Sequence, residues 1–206
     1  MGVAGRLNQA RILRVLGLML LLLALPLAAM PDAASAAQSE QVIAVVRSVH
    51  AQTLSAIAAK RTSRVSSIIE RHVDLNTVAG RMLGKTWQAA SSAERRDFRN
   101  VLRDIVANEL VRKVRGGDRF TIKGAKAIGA RDTVVFSEQS LRGGGTRKLD
   151  WKLRPCGSSF CIYDLVLNGA SMTIARRDEF AARLKSSGGS LGALTRSLRA
   201  ELASSR

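Results

Sequence analysis

The hydrophobic period changes along this chain from helical spacing to strict alternation and back, and that change limits the fold more than any other feature. Up to Val114 the apolar residues recur every three or four positions. Val42, Val45, Val46, Val49, Leu54 and Ile57 mark one helix over residues 38–60, and Val65, Ile68 and Ile69 mark a short second one. Residues 73–91 read as short helical turns with Asp74 as a cap. Phe98, Val101, Leu102, Ile105, Val106, Leu110, Val111 and Val114 then form the broad apolar face of a long helix. Ser91 or Ser92 caps that helix, Glu94 or Arg95 opens it, and Gly116-Gly117 stops it. From residue 119 alternation takes over. Residues 119–127, 133–141, 146–154 and 160–168 read as strands separated by GARD, GGG and PCGSS turns. Leu149, Trp151 and Leu153 alternate with Lys148, Asp150 and Lys152, as in a sheet with one wet face. Helical spacing returns over residues 174–185 and, after Ser-Ser-Gly-Gly-Ser, at Leu191, Leu194, Leu198 and Leu202. Helices, strands and helices in that order predict one α+β domain: a twisted antiparallel sheet of four to five strands, one face wrapped by N- and C-terminal helices.

The first 36 residues stand apart. Arg6, Arg11 and Arg14 precede an apolar run over residues 15–30 that Pro26 interrupts, and Ala34-Ser35-Ala36 is a small-x-small cleavage site. This is the pattern of a signal peptide, because the unbroken apolar stretch is shorter than the ~20 residues a membrane span needs. Residues 1–36 are therefore expected to be removed, leaving residues 37–206 as a soluble domain in the periplasm that starts at Ala37. No cysteine lies near the cleavage site to carry a lipid anchor. The net charge is +17, from 33 Lys and Arg against 16 Asp and Glu; losing the leader's three Arg and one Asp leaves about +15. Such a surface attracts polyanions. An exported chain without a compact recognition helix or zinc-finger spacing is not expected to bind nucleic acid, so an anionic membrane or envelope polymer is the partner that fits.

Catalytic patterns fail on inspection. His50 and His72 are the only histidines and neither has a partner at metal-ligand spacing. There is no H-E-x-x-H or G-x-S-x-G, and Ser171 has no sequence-defined base. The stretch from Gly80 to Gly84-Lys85-Thr86 is one residue short of a phosphate loop, with Ala79 where the first glycine would stand. No enzyme activity, metal or organic cofactor is expected. Cys156 and Cys161 flank a turn, and in an oxidising compartment a bond between them is expected. What remains is apolar surface: Trp87, Phe98, Phe136, Trp151, Phe160, Tyr163, Met172 and Phe180 are spread over helices and strands that face one another. A packed interior and an aliphatic pocket both fit that pattern.

Three stretches, in order, resemble the MlaC-like family, also called toluene-tolerance auxiliary proteins. Val73-Asp74-Leu75, Ala79, Leu83-Gly84, Trp87, Ser91 or Ser92, Glu94-Arg95 and Phe98 resemble its opening signature. FCIYDLVLNGASM over residues 160–172 resembles its later one, and Arg176 or Arg177 with Phe180 resembles the R-x-x-F element that follows. The resemblance spans residues 41–198. It implies a periplasmic carrier of phospholipid between an outer-membrane lipoprotein complex and an inner-membrane ABC transporter. It also implies a nuclear-transport-factor-like sheet, with acyl chains between sheet and helices and the bound lipid as cargo. Under it, Asp74, Gly84, Asp164, Gly169 and Ser171 take fold or pocket-mouth roles. Helix period and strand alternation then nominate Leu83, Trp87, Phe98, Leu102, Ile105, Phe136, Trp151, Tyr163, Val166 and Met172 as the lipid-binding wall. The chain departs from the family at Val73, where Phe is usual, in lacking tyrosine over residues 108–115, and in its cysteine-bearing PCGSSFC turn. A hopanoid-associated branch, HpnM, makes a hopanoid-like lipid an alternative cargo. A structural or adaptor protein of the cell envelope, with a filled core, is the alternative outside lipid carriage.

Overall fold

Alanine-rich sequence favours helix more than any other, and the first helix, α1 (Ala33–Ala58), accordingly begins before the predicted residue 38. The structure, a computed structural model, describes residues 33–114 and 119–204. The basic start, apolar run and Pro26 of the leader, and the Gly116-Gly117 helix stop, lie outside these residues. On α1, Val42, Val46, Val49 and Ile57 of the predicted face are buried, Ala56 joins them, and Val45 and Leu54 are half-buried. Helix α2 (Thr62–His72) buries Val65, Ile68 and Ile69. Helix α3 (Leu75–Leu83) is capped by Asp74, whose carboxylate accepts from the Thr77 N–H at 3.0 Å. A turn at Gly84 leads into α4 (Lys85–Ala89), which buries Trp87. Helix α5 (Ser92–Lys113) opens with a reciprocal capping box between Ser91 and Glu94, satisfying backbone donors that the first helical turn leaves free.

Strands β1 (Arg119–Ile128), β2 (Asp132–Ser140), β3 (Thr146–Cys156), β4 (Ser159–Leu167) and β5 (Ala170–Ser171) form a sheet in sequence order, with every neighbouring pair antiparallel. The α+β meander is therefore present, with a short fifth strand. Asn168 and Gly169, both at positive φ, make the two-residue turn between β4 and β5; an Asn-Gly pair adopts this geometry at little cost and matches the strand twist. The single helix expected over residues 174–185 is two, α6 (Met172–Ala175) and α7 (Arg177–Ser186). The break at Arg176 turns that side chain toward Glu109 of α5, with which it forms an ion pair. Helix α8 (Leu191–Ser204) buries Leu191, Leu194 and Leu198.

Pairing register sets which side chains share a face. Ala125, Val135, Trp151 and Leu165 form one cross-strand row, and Ser137 and Leu149 continue the same face. Phe136, Asp150 and Val166 form a row on the opposite face, with Glu138 and Lys148 beside it. The first face meets the helices. Gln38 of α1 donates to the Thr133 hydroxyl at 3.3 Å, and His50 stacks on Phe120 with ring centroids 3.8 Å apart, so α1 runs along the β1–β2 hairpin. Helices α2, α3 and α6 approach the sheet at β4. Residues 37–206 make one compact unit.

Candidate functional site

Between the covered face and the helices lies one continuous apolar cluster. Its helical side includes Leu83, Trp87, Phe98, Leu102 and Phe180, and its sheet side includes Val135, Trp151, Leu153 and Ile162. Phe98 meets Trp87 and Phe180 edge-on, each with centroids 6.1 Å apart, and Trp151 meets Phe120 likewise at 6.3 Å. The indole N–H of Trp151 donates to the Ser137 hydroxyl at 3.0 Å, which donates onward to the Leu149 carbonyl at 2.6 Å. The one polar atom of the Trp151 side chain is thus satisfied inside the sheet, leaving hydrocarbon toward the helices. Burial pushes the His50 imidazole below its usual value, so it sits neutral against Phe120.

At the β4 edge of this cluster the charged side chains converge. The Asp164 carboxylate is fully buried and accepts from the Ser171 hydroxyl at 2.8 Å and from the Thr173 N–H at 3.3 Å. Lys152 lies 3.6 Å and Arg81 4.0 Å from it. Two guanidinium groups lie over the neighbouring Tyr163 ring, Arg154 at 4.2 Å and Arg81 at 4.7 Å from its centroid. Burial, then the hydrogen bond to Asp132 and its charge, raise the Tyr163 phenol above its ordinary value against the opposing pull of Arg81 and Arg154. Arg154 binds Asp132 at 3.1 Å and the Thr77 hydroxyl at 3.0 Å, and lies 4.0 Å from Asp74. Asp74 also fixes the backbone, its N–H donating to the Ile162 carbonyl at 2.8 Å. Buried charges persist only when paired and hydrogen-bonded. This network therefore acts as an ionic joint that fastens α3 and α6 to β3 and β4.

The sequence-nominated residues fall into separate groups. Leu83, Trp87, Phe98, Leu102 and Trp151 belong to the apolar cluster, and Ile105 packs against it. Phe136 and Val166 lie on the opposite sheet face, Phe136 being 38% exposed, so they cannot share a wall with Trp151. The cause is register: alternation gives the phase within one strand but not between strands. Tyr163 sits at the irregularity that shifts pairing between Lys152 and Leu153, which places it in the ionic joint rather than the hydrocarbon cluster. Met172 opens α6 and is half-buried. Asp74, Asp164 and Ser171 meet in the joint; Gly84 shapes the α3–α4 turn and Gly169 the β4–β5 turn. Cys156 and Cys161 are bonded across the β3–β4 turn, Cα atoms 5.5 Å apart. Sequence reading missed Arg81, Thr77, Asp132 and Arg154. Only their charge or hydroxyl could have marked them, among 33 basic residues.

Clefts open on the helical side among the described residues. One of about 950 Å³ lies between α2 and α5 and is lined by polar residues including Ser66, Arg103 and Asp104. Another, of about 180 Å³, lies between α5, α7 and α8 and has an apolar floor. Among the described residues, no helix is long and apolar enough to cross a membrane, and no group of three or more His, Cys, Asp or Glu could hold a metal ion.

The fold has a solved counterpart in the phospholipid-binding protein from Ralstonia solanacearum, determined in complex with a phospholipid. The two superpose with a TM-score of 0.64 over 78% of this chain and 96% of that one, at 18% sequence identity. No curated protein matches the sequence. The family model described as MlaC protein matches residues 36–200, which takes in α2 to α7, the whole sheet and the ionic joint, and the chain belongs to the MlaC family.

Proposed function

We propose that this chain is a periplasmic carrier that holds a membrane phospholipid, with its acyl chains between the helices and the covered face of the sheet. The observation that carries this reading is the continuous hydrocarbon cluster from Leu83 and Phe98 to Trp151 and Leu153, in a chain of the MlaC family. The phospholipid complex of the Ralstonia protein, which shares the fold, supports it. The physical requirement is a dry interior, because each acyl CH2 gains ~0.8 kcal/mol on leaving water. Carriage needs no covalent step, so the proposal includes neither catalytic residues nor a cofactor. Residues 1–36 direct export and are removed. The proposed exchange partners are an inner-membrane ABC lipid transporter and an outer-membrane lipoprotein complex, with an anionic membrane surface as the meeting place. Phospholipid is the proposed cargo and a hopanoid-like lipid the alternative.

A structural or adaptor protein with a filled core is the second reading, favoured by the closure of Phe98, Leu102 and Leu153, each at most 1% exposed. Mass spectrometry of an organic extract, from protein purified without detergent, separates the two. Stoichiometric phospholipid is the expected result. Repeated absence of lipid, together with failure to accept any from vesicles, would defeat the carrier reading.

A further inference from the structure

Helix α7 packs mainly against α3 and buries few side chains for an element that covers hydrocarbon. Phe180 is its one buried residue, and Leu184 is only partly covered. It is bounded by the break at Arg176 and by Gly188-Gly189, both glycines at positive φ. The crevice of about 180 Å³ lies beneath it, with Ile105, Phe180, Leu198 and Leu202 in its lining. Phe180 and Leu198 are 1% and 3% exposed and belong to the interior cluster, and the Phe180 ring meets Phe98 edge-on. A single layer of side chains therefore separates the crevice from the interior. Ion pairs close the rim: Arg176 with Glu109 of α5, and Arg183 with Glu201 of α8 at 2.8 Å.

We infer that the crevice between α5, α7 and α8 is the entry site for a phospholipid acyl chain, with Phe180 as its plug and the Arg176–Glu109 and Arg183–Glu201 pairs as its catch. This rests on the carrier reading. Partly exposed ion pairs hold weakly, which suits a catch that must open. Displacing Phe180 uncovers an aliphatic floor that an acyl chain covers again, while Arg176 and Arg183, once released, present planar donors matched to a phosphate. The larger α2–α5 cleft has serine, threonine, asparagine and charged side chains in its lining and no such floor.

The test uses the full mature chain and phosphatidylcholine vesicles carrying a pyrene-acyl phosphatidylglycerol, with uptake and release followed by fluorescence. Arg176→Ala and Glu201→Ala are expected to speed both steps about three- to fivefold. An Arg183→Cys/Glu201→Cys variant, joined by a bis-maleimide spacer, is expected to slow both at least tenfold relative to the same variant unjoined. Phe180→Leu, checked by circular dichroism, is expected to speed release even if Phe180→Ala does not fold. Wild-type transfer with rates unchanged in the catch and crosslinked variants overturns the entry site alone. A wild type that takes up no lipid overturns the carrier reading and the entry site with it.

Discussion

Asp164 holds together groups from four other elements, and its substitution separates charge from shape. In Asp164→Asn the amide keeps the volume but loses the negative charge that Lys152 and Arg81 face, and one amide group cannot accept what two carboxylate oxygens now accept. Breaking a buried pair in this way costs about 3 kcal/mol. Urea unfolding should show that loss, and a change below about 1 kcal/mol would mean that the charge of Asp164 does not fasten the joint. His50 makes a second prediction at this scale. Its folded pKa is lowered by burial, and that of His72 by burial and then the Arg71 charge. The unfolded chain therefore binds protons more readily near the ordinary value of about 6.5, and stability falls as pH drops through that value toward the folded pKa. The melting temperature should decline on going from pH 7.5 to 5. His50→Gln should flatten part of the decline, and an unaltered profile would remove His50 as a cause.

Among the elements, the β3–β4 hairpin is held by a bond as well as by its ladder. Cys156–Cys161 closes a short loop, so the entropy it removes from the unfolded chain is worth no more than about 2 kcal/mol. Replacing both cysteines by serine should lower stability by that amount or less. Lipid content should remain, because neither cysteine belongs to the apolar cluster; loss of lipid from a folded double variant would contradict this separation. At the α3–α4 turn, Gly84 has φ +54° with nothing within 4 Å of where a Cβ would lie. Gly84→Ala therefore isolates backbone strain, about 1–2 kcal/mol, and a neutral substitution would show that the turn relaxes. These elements were legible in the sequence to different degrees. Helical spacing placed Val42, Val65 and Phe98 on buried faces, and the Ser91–Glu94 cap and the cysteine-bearing turn are local signals that need no knowledge of the rest of the chain. The wall formed from the sheet was not legible in full. Phe136 has the right chemistry, but its face depends on pairing with Asp150, and Tyr163 leaves the hydrocarbon because of a register shift that no local pattern announces. Arg81 and Arg154 were missed for the same reason: their role comes from meeting at β4 from elements far apart in sequence.

At the scale of the whole molecule, the high positive charge divides into cations with structural partners and cations free to act at a distance. Lys152 is held by the buried Asp164, Arg176 by Glu109, and Arg183 by Glu179 and Glu201; reversing any of these would break an ion pair as well as change the long-range attraction, so the two effects would not be separated. Lys126 and Arg177 are exposed and better suited, whereas Lys148 stands opposite Glu138 and its charge acts on Asp150. Lys126 stands on the sheet face opposite Trp151, whereas Arg177 is on α7 beside the proposed entry site. Attraction between a net positive protein and an anionic surface raises the encounter rate more than the final affinity, and it fades beyond a Debye length of about 8 Å at physiological salt. The double variant Lys126→Glu/Arg177→Glu should therefore slow association with anionic vesicles about threefold or more at low salt. It should approach wild-type rates in high salt and leave the melting temperature nearly unchanged. Stopped-flow mixing with vesicles of phosphatidylglycerol, and in parallel of phosphatidylcholine, measures this directly. Equal rates for wild type and variant on phosphatidylglycerol at low salt would mean that the charge does not steer encounter. Equal slowing on both lipids would assign the effect to damage at α7 instead of to electrostatics.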